Sequence, residues 1–140
     1  MQPSMFARIA PALSLAGLLA SPTVAHADNT PPPSTFEASC LHITIAGSTI
    51  AAECRRNNGR YKFTWLRIPG VENLNGSLHY TTAYEASTYQ NSCKDIMISG
   101  SLLKALCLKD DGTFAKSSIA IPDMVNEDGD LRYGRVPPGK

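Results

Sequence analysis

The chain has 140 residues, 13 Lys plus Arg against 12 Asp plus Glu, and four cysteines. A formal net charge of +1 with no basic stripe argues against nucleic acid or an anionic membrane surface as the partner. The sequence has no Cys-x-x-Cys, and His42 and His79 do not stand at ligand spacing, which argues against a structural metal site.

Arg8 supplies a short basic start, and Ile9 to Ala20 is an apolar run broken only by Pro11, Ser14 and Gly17. Ala25-His26-Ala27 then places small residues where signal peptidase reads, so residues 1–27 are expected to be a secretory signal peptide. The run is too short and too broken for a membrane span, so no membrane insertion is expected after cleavage. Without Arg8, 12 basic residues remain against 12 acidic ones. Residues 28–35 contain Pro31 to Pro33 and read as an extended tether rather than part of a core. A single folded domain is expected over 36–140, and a body that small usually needs staples. Cys40, Cys54, Cys93 and Cys107, behind a secretory signal, read as two disulfides. Four cysteines allow three pairings, and spacing alone does not choose between them.

Within the folded part, His42 to Ile50 alternates around Gly47-Ser48, where Gly at the first central position suits a type II′ hairpin turn. Ile50 to Cys54 returns as the partner strand, Asn58-Gly59 marks a second turn, and Tyr61 to Ile68 is a strand rich in aromatic and branched residues. Asn75-Gly76 is the strongest hairpin signal in the chain, flanked by Leu74, Leu78 and Tyr80. The same series then recurs. Shifted by 53 positions, Ser39-Cys40 falls on Ser92-Cys93, Gly47-Ser48 on Gly100-Ser101, and Cys54 on Cys107. Ile68-Pro69 falls on Ile121-Pro122, and Asn73, Gly76, Leu78 and Tyr80 fall on Asn126, Gly129, Leu131 and Tyr133. Repeat one is placed at 36–88 and repeat two at 89–140. Open solenoids generally need three or more repeats, so two copies point to a closed pseudo-twofold body. Two equivalent units most simply each carry one bridge, Cys40–Cys54 and Cys93–Cys107, each worth about 3 kcal/mol for a loop of that size.

Each copy therefore reads aromatic-x-x-Ser-Cys, strand, Gly-Ser, strand ending in Cys, Gly turn, strand, and Asn-x-(Asn/Asp)-Gly-x-Leu-x-Tyr. This ordered set resembles the cyanovirin-N homology (CVNH) domain family over essentially all of 36–135. The resemblance implies an all-β, pseudo-twofold cyanovirin-N-like fold of two tandem strand-exchanged repeats. Each half has a three-stranded sheet and a β-hairpin, joined by short helical turns, with the disulfides inside the repeats. It implies a secreted lectin for mannose-rich glycans with one sugar site at each end, needing neither metal nor cofactor, as a monomer or a domain-swapped dimer.

Carried over by position, the first end comprises Ser39, Arg55, Asn57, Asn58, Asn126, Glu127 and Asp128. The second comprises Glu72, Asn73, Asn75, Asn91, Ser92, Lys109 and Asp110. Arg55 stands where the family carries an acid, and Leu108 where it carries a base. Sugar hydroxyls both donate and accept, which amides, carboxylates and guanidinium groups can match. Asp128, Asn126 and Asn57 are the best candidate contacts on that chemistry, although Asn, Asp and Gly at these positions are also what tight turns demand.

Tyr61, Phe63, Trp65, Phe114 and Tyr133 are expected mainly in the core. Trp65 has Ser118 as its counterpart, which leaves a sugar-stacking role open. Asn75-Gly76-Ser77 is an N-glycosylation sequon. No Ser or Cys sits in a nucleophile elbow or dyad pattern, and nothing selects a carboxylate pair, so no enzyme is expected. The alternative is a secreted protein-interaction or effector scaffold on the same fold. An exposed apolar patch at one end would favour it, and a shallow polar cleft would favour the lectin.

Overall fold

The computed structural model describes residues 17, 30–81 and 85–135. The expected signal peptide and its cleavage site lie outside the described residues, Gly17 apart. The first copy opens with a single 3-10 turn, Phe36–Ala38, followed by β1 (Cys40–Ala46), β2 (Thr49–Arg55) and β3 (Tyr61–Arg67). A hairpin of β4 (Val71–Leu74) and β5 (Ser77–Tyr80) follows. The second copy repeats the order with a 3-10 turn at Tyr89–Asn91, β6 (Cys93–Ser99), β7 (Leu102–Leu108), β8 (Phe114–Ala120) and the hairpin β9 (Met124–Glu127) and β10 (Asp130–Tyr133). The two three-stranded sheets are antiparallel in the orders β1-β2-β3 and β6-β7-β8.

The turn residues account for the register. Gly47 alone of the Gly47-Ser48 pair takes a positive φ, as a type II′ turn requires. Asn75 and Gly76 both do, as do Asp128 and Gly129, which is the type I′ signature. Each first strand also carries a bulge, between Leu41 and Thr44 and between Lys94 and Met97, with His42 and Asp95 at positive φ. The bridges join Cys40 to Cys54 and Cys93 to Cys107, directly opposed residues of each first hairpin.

Neither copy closes on itself. The hairpin of copy one lies on β8 of copy two, and the hairpin of copy two lies on β3 of copy one. Leu131 donates its backbone N–H to Thr64 Oγ1 at 3.1 Å, and Leu78 donates to Ser117 Oγ at 2.9 Å. The tyrosines that end the two hairpins finish the exchange: Tyr133 donates to the Arg67 carbonyl and Tyr80 to the Ala120 carbonyl, both at 2.9 Å. One core results, built from symmetry-related pairs such as Phe36 with Tyr89, Ile50 with Leu103, Ile68 with Ile121 and Val71 with Met124.

Two expectations are corrected. The tether is docked at its end: Asp123 donates to the Pro32 carbonyl at 2.8 Å, and Thr35 to the Met124 carbonyl at 2.9 Å. Ser34 is buried and bonds both the Ile121 carbonyl (2.5 Å) and the Met124 N–H (2.9 Å). Ser87 does the same between Ile68 and Val71 in the other copy. The structural repeat therefore starts at Ser34 and Ser87, two residues before the placed boundaries. Three prolines hid this, because they read as linker while the serine behind them supplies a latch.

The second correction concerns aromatic burial. Tyr61, Phe63 and Trp65 are 49%, 66% and 58% exposed, and Phe114 is also exposed. The register explains it. Ile50, Ala52 and Cys54 of β2 face the core, so their partners Leu66, Thr64 and Lys62 share that face. The odd positions of β3 must then point to solvent, whatever their size. Of the five aromatics expected inside, only Tyr133 packs against the core.

Candidate functional site

Strand exchange brings each hairpin tip against the turn between the second and third strands of the other copy. At the first end, Asn126 makes the junction. Its amide donates to Ser39 Oγ (2.8 Å) and to the Arg55 carbonyl (2.9 Å), and its Oδ1 accepts the Gly129 N–H (2.8 Å). Asp128 adds a fourth link, accepting the Asn57 N–H at 2.9 Å through Oδ1. Its Oδ2 lies 3.9 Å from Arg56 Nη2. Ser39, Arg55, Asn57, Asn126 and Asp128 are thus one bonded cluster.

Their roles divide. Both amide protons of Asn126 are committed, so it positions the site rather than presenting donors to a ligand. The groups left facing outward are Asp128 Oδ2, the side chains of Asn57 and Arg55, and the Arg56 guanidinium. Asn58 closes its own turn by accepting the Arg60 N–H at 3.0 Å, and Glu127 lies 3.5 Å from Arg132 Nε. Arg56 was missed by sequence reading. The repeat carries the signal that finds it, since its counterpart 53 residues on is Lys109, already named at the other end.

The carboxyl of Asp130, next along the hairpin, is held below the usual carboxylate range by its bond from Lys62 Nζ at 2.6 Å, with Arg132 and Arg56 adding to the effect. Glycine is obligatory at this junction. A Cβ on Gly129, at φ +91°, would sit 2.6 Å from Arg56 Cγ and 3.4 Å from the Cys54 carbonyl oxygen. The tip can approach the turn only because that atom is missing.

The second end repeats the scaffold. Asn73 donates to Ser92 Oγ and the Leu108 carbonyl, both at 2.9 Å, and accepts the Gly76 N–H at 2.8 Å. Asn75 accepts the Asp110 N–H at 2.9 Å. Lys109 Nζ is 3.6 Å from Asp111, whose carboxyl is lowered chiefly by its bonds from the Thr113 side chain and backbone. Glu72 pairs with His79 across the β4–β5 ladder and Asn91 ends its 3-10 turn, and no hydrogen bond ties either to the cluster.

What differs between the ends is the surface around the shared scaffold. Arg55, Glu127 and Asp128 of the first end are replaced by Leu108, Leu74 and Asn75 at the second. Leu74 and Leu108 are both exposed. Beside Leu108 in the ladder stands Phe114, covered by Lys94 with Nζ 4.0 Å from the ring centre. The first end carries charged side chains at these three positions, whereas the second exposes two leucines beside its remaining charges, Lys109, Asp110 and Asp111. Among the described residues no three His, Cys, Asp or Glu side chains are grouped to hold a metal.

The sequence matches the CVNH domain family over residues 36–132. No curated protein matches the chain. Several solved structures share its fold. A MoCVNH3 variant in complex with (N-GlcNAc)4 is 16% identical, with a TM-score of 0.61 over 74% of this chain and 99% of that one. The CVNH protein of T. borchii is 23% identical, with a TM-score of 0.59 over 71% and 98%. Microvirin, in complex with mannobiose, is 24% identical, with a TM-score of 0.57 over 74% and 99%.

Proposed function

The chain belongs to the CVNH family, and on that footing we propose that it is a secreted, metal-independent lectin that binds mannose-type oligosaccharides through its first end. One observation carries the choice of end. Asp128 is fixed by the Asn57 N–H on one oxygen and keeps a half-exposed carboxylate whose other oxygen lies 3.9 Å from Arg56 Nη2. A fixed acceptor flanked by donors matches a pair of neighbouring sugar hydroxyls. The site asks for little reorganisation, because Asn126 already ties its two halves together. Mannose is favoured by the mannobiose bound to microvirin, and N-acetylglucosamine oligomers are the competing class on the (N-GlcNAc)4 complex.

The second end supports a different reading. Exposed Leu74, Leu108 and Phe114 favour contact with an apolar partner surface over recognition of hydroxyls. Glycan-array binding of the full chain with intact disulfides, beside Asp128→Ala and Asn75→Ala, tests the proposal. Mannose-type binding lost in Asp128→Ala and kept in Asn75→Ala is the expected result. A folded protein silent across the array would leave the interaction-scaffold reading in its place.

A further inference from the structure

The outer face of the first sheet carries a row of aromatic rings that the fold does not need. Tyr61, Phe63 and Trp65 occupy alternate positions of β3, so the row is about 13 Å long. All three are about half exposed or more. The molecule supplies its own control. The equivalent positions of β8 are Phe114, Lys116 and Ser118, on a sheet of the same order and register. A scaffold that closes with Lys and Ser in one copy does not require Phe and Trp in the other.

The neighbours of the row define its chemistry. Across the β2–β3 ladder, Arg55 stands opposite Tyr61, and Glu53 opposite Phe63. His42 Nδ1 lies 2.6 Å from Glu53, and Arg67 follows Trp65 on the same face. The row is thus bordered by charged and hydrogen-bonding groups at Tyr61 and Phe63, with Ala51 opposite Trp65 and the exposed Leu41 beyond Glu53 on β1. A protein interface of about 800 Å² per partner has charge depleted at its centre, whereas Arg55, Glu53 and Arg67 lie against this row. A sugar ring has an apolar C–H face and a rim of hydroxyls. An aromatic ring beneath and polar side chains alongside suit both.

The row is also continuous with the candidate site. Asn57-Asn58-Gly59-Arg60 runs directly into Tyr61, and Arg55, whose carbonyl anchors Asn126, is the ladder partner of Tyr61. We propose that Tyr61, Phe63 and Trp65 form a stacking track that extends the first-end site, so that this chain selects linear oligosaccharides longer than a disaccharide. The inference rests on the lectin reading and adds the length of the ligand to it.

Trp65 is the single tryptophan of the chain, so its emission reports on the track alone. The experiment titrates the full chain with the disaccharide and the linear tetrasaccharide of mannose, and with the same pair of N-acetylglucosamine, following Trp emission and heat. The tetrasaccharide of one class should bind about tenfold tighter than its disaccharide, roughly the contribution of one good stacking contact, and should alone shift the emission. Phe63→Ser/Trp65→Ser should bring the two lengths within about twofold and leave the disaccharide affinity unchanged. Asp128→Ala should weaken both lengths. Equal affinity for the two lengths in the wild type, or a length preference that survives in the double variant, would overturn the track. A double variant that changes oligomeric state would assign the face to self-association instead. Loss of disaccharide binding from the wild type, with tetrasaccharide binding and the emission shift intact, would sink the end site and spare the track. No binding at either length sinks both.

Discussion

Replacing Asn126 by alanine removes three hydrogen bonds at once: to Ser39 Oγ, to the Arg55 carbonyl and from the Gly129 N–H, all between 2.8 and 2.9 Å. At a net 0.5–1.5 kcal/mol each, the three sum to about 3 kcal/mol, and half-exposure of the junction lowers this to about 2 kcal/mol. Urea unfolding should show the loss as a midpoint lower by roughly 1 M with an unchanged slope. Asn73→Ala breaks the equivalent bonds at the other end and should cost the same. The two variants should part company in sugar binding, because only Asn126 lies at the end that carries Asp128. Asn126→Asp is the sharper variant. It keeps an acceptor for Gly129 but sets a carboxylate oxygen against the Arg55 carbonyl, so its stability should fall to that of alanine or below. An Asn126→Ala midpoint within 0.2 M of wild type, with sugar affinity intact, would refute the assignment of Asn126 as the residue that holds the site together.

Three further outcomes follow from the same geometry. Gly129→Ala should cost more than Gly47→Ala. Both have positive φ, worth about 1–2 kcal/mol of strain, but only at Gly129 would the new Cβ meet Arg56 at 2.6 Å. Thermal melts of the pair would measure the difference. Replacing Cys40 and Cys54 together by alanine, or Cys93 and Cys107, should each lower stability by about 3 kcal/mol, and denaturant titrations should give similar losses for the two bridges. Burial pushes the Tyr89 hydroxyl up to about 12. An acid raised in the folded state stabilises the fold below its unfolded value near pH 10, and that stability is lost as pH rises through 12. Tyr89→Phe should therefore flatten the alkaline limb of the stability profile, measured by unfolding between pH 9 and 12.

Much of this is legible in the sequence, for reasons that belong to particular residues. Gly47, Asn75-Gly76 and Asp128-Gly129 fix turn types through backbone stereochemistry, which is local and readable. The 53-residue repeat turned a set of short strands into a two-copy architecture and paired the cysteines. What failed was facing. In β3 the residues Tyr61, Phe63 and Trp65 are the large apolar ones, yet the core side is chosen by Ile50, Ala52 and Cys54 across the ladder, a partner that the strand's own pattern does not reveal. The candidate site was legible as a set of positions but not as a set of roles. Asn126 and Asp128 look alike in sequence, and only the strand exchange shows that one is spent on the scaffold while the other keeps a half-exposed carboxylate beside Arg56.

The most direct test is an amide chemical-shift titration of the ¹⁵N-labelled protein with mannobiose. Shifts concentrated at Arg55, Arg56, Asn57 and Asp128, with Leu108, Lys109, Asp110 and Asn75 unmoved, are the predicted result. Shifts confined to the second end, or none at either, would contradict it.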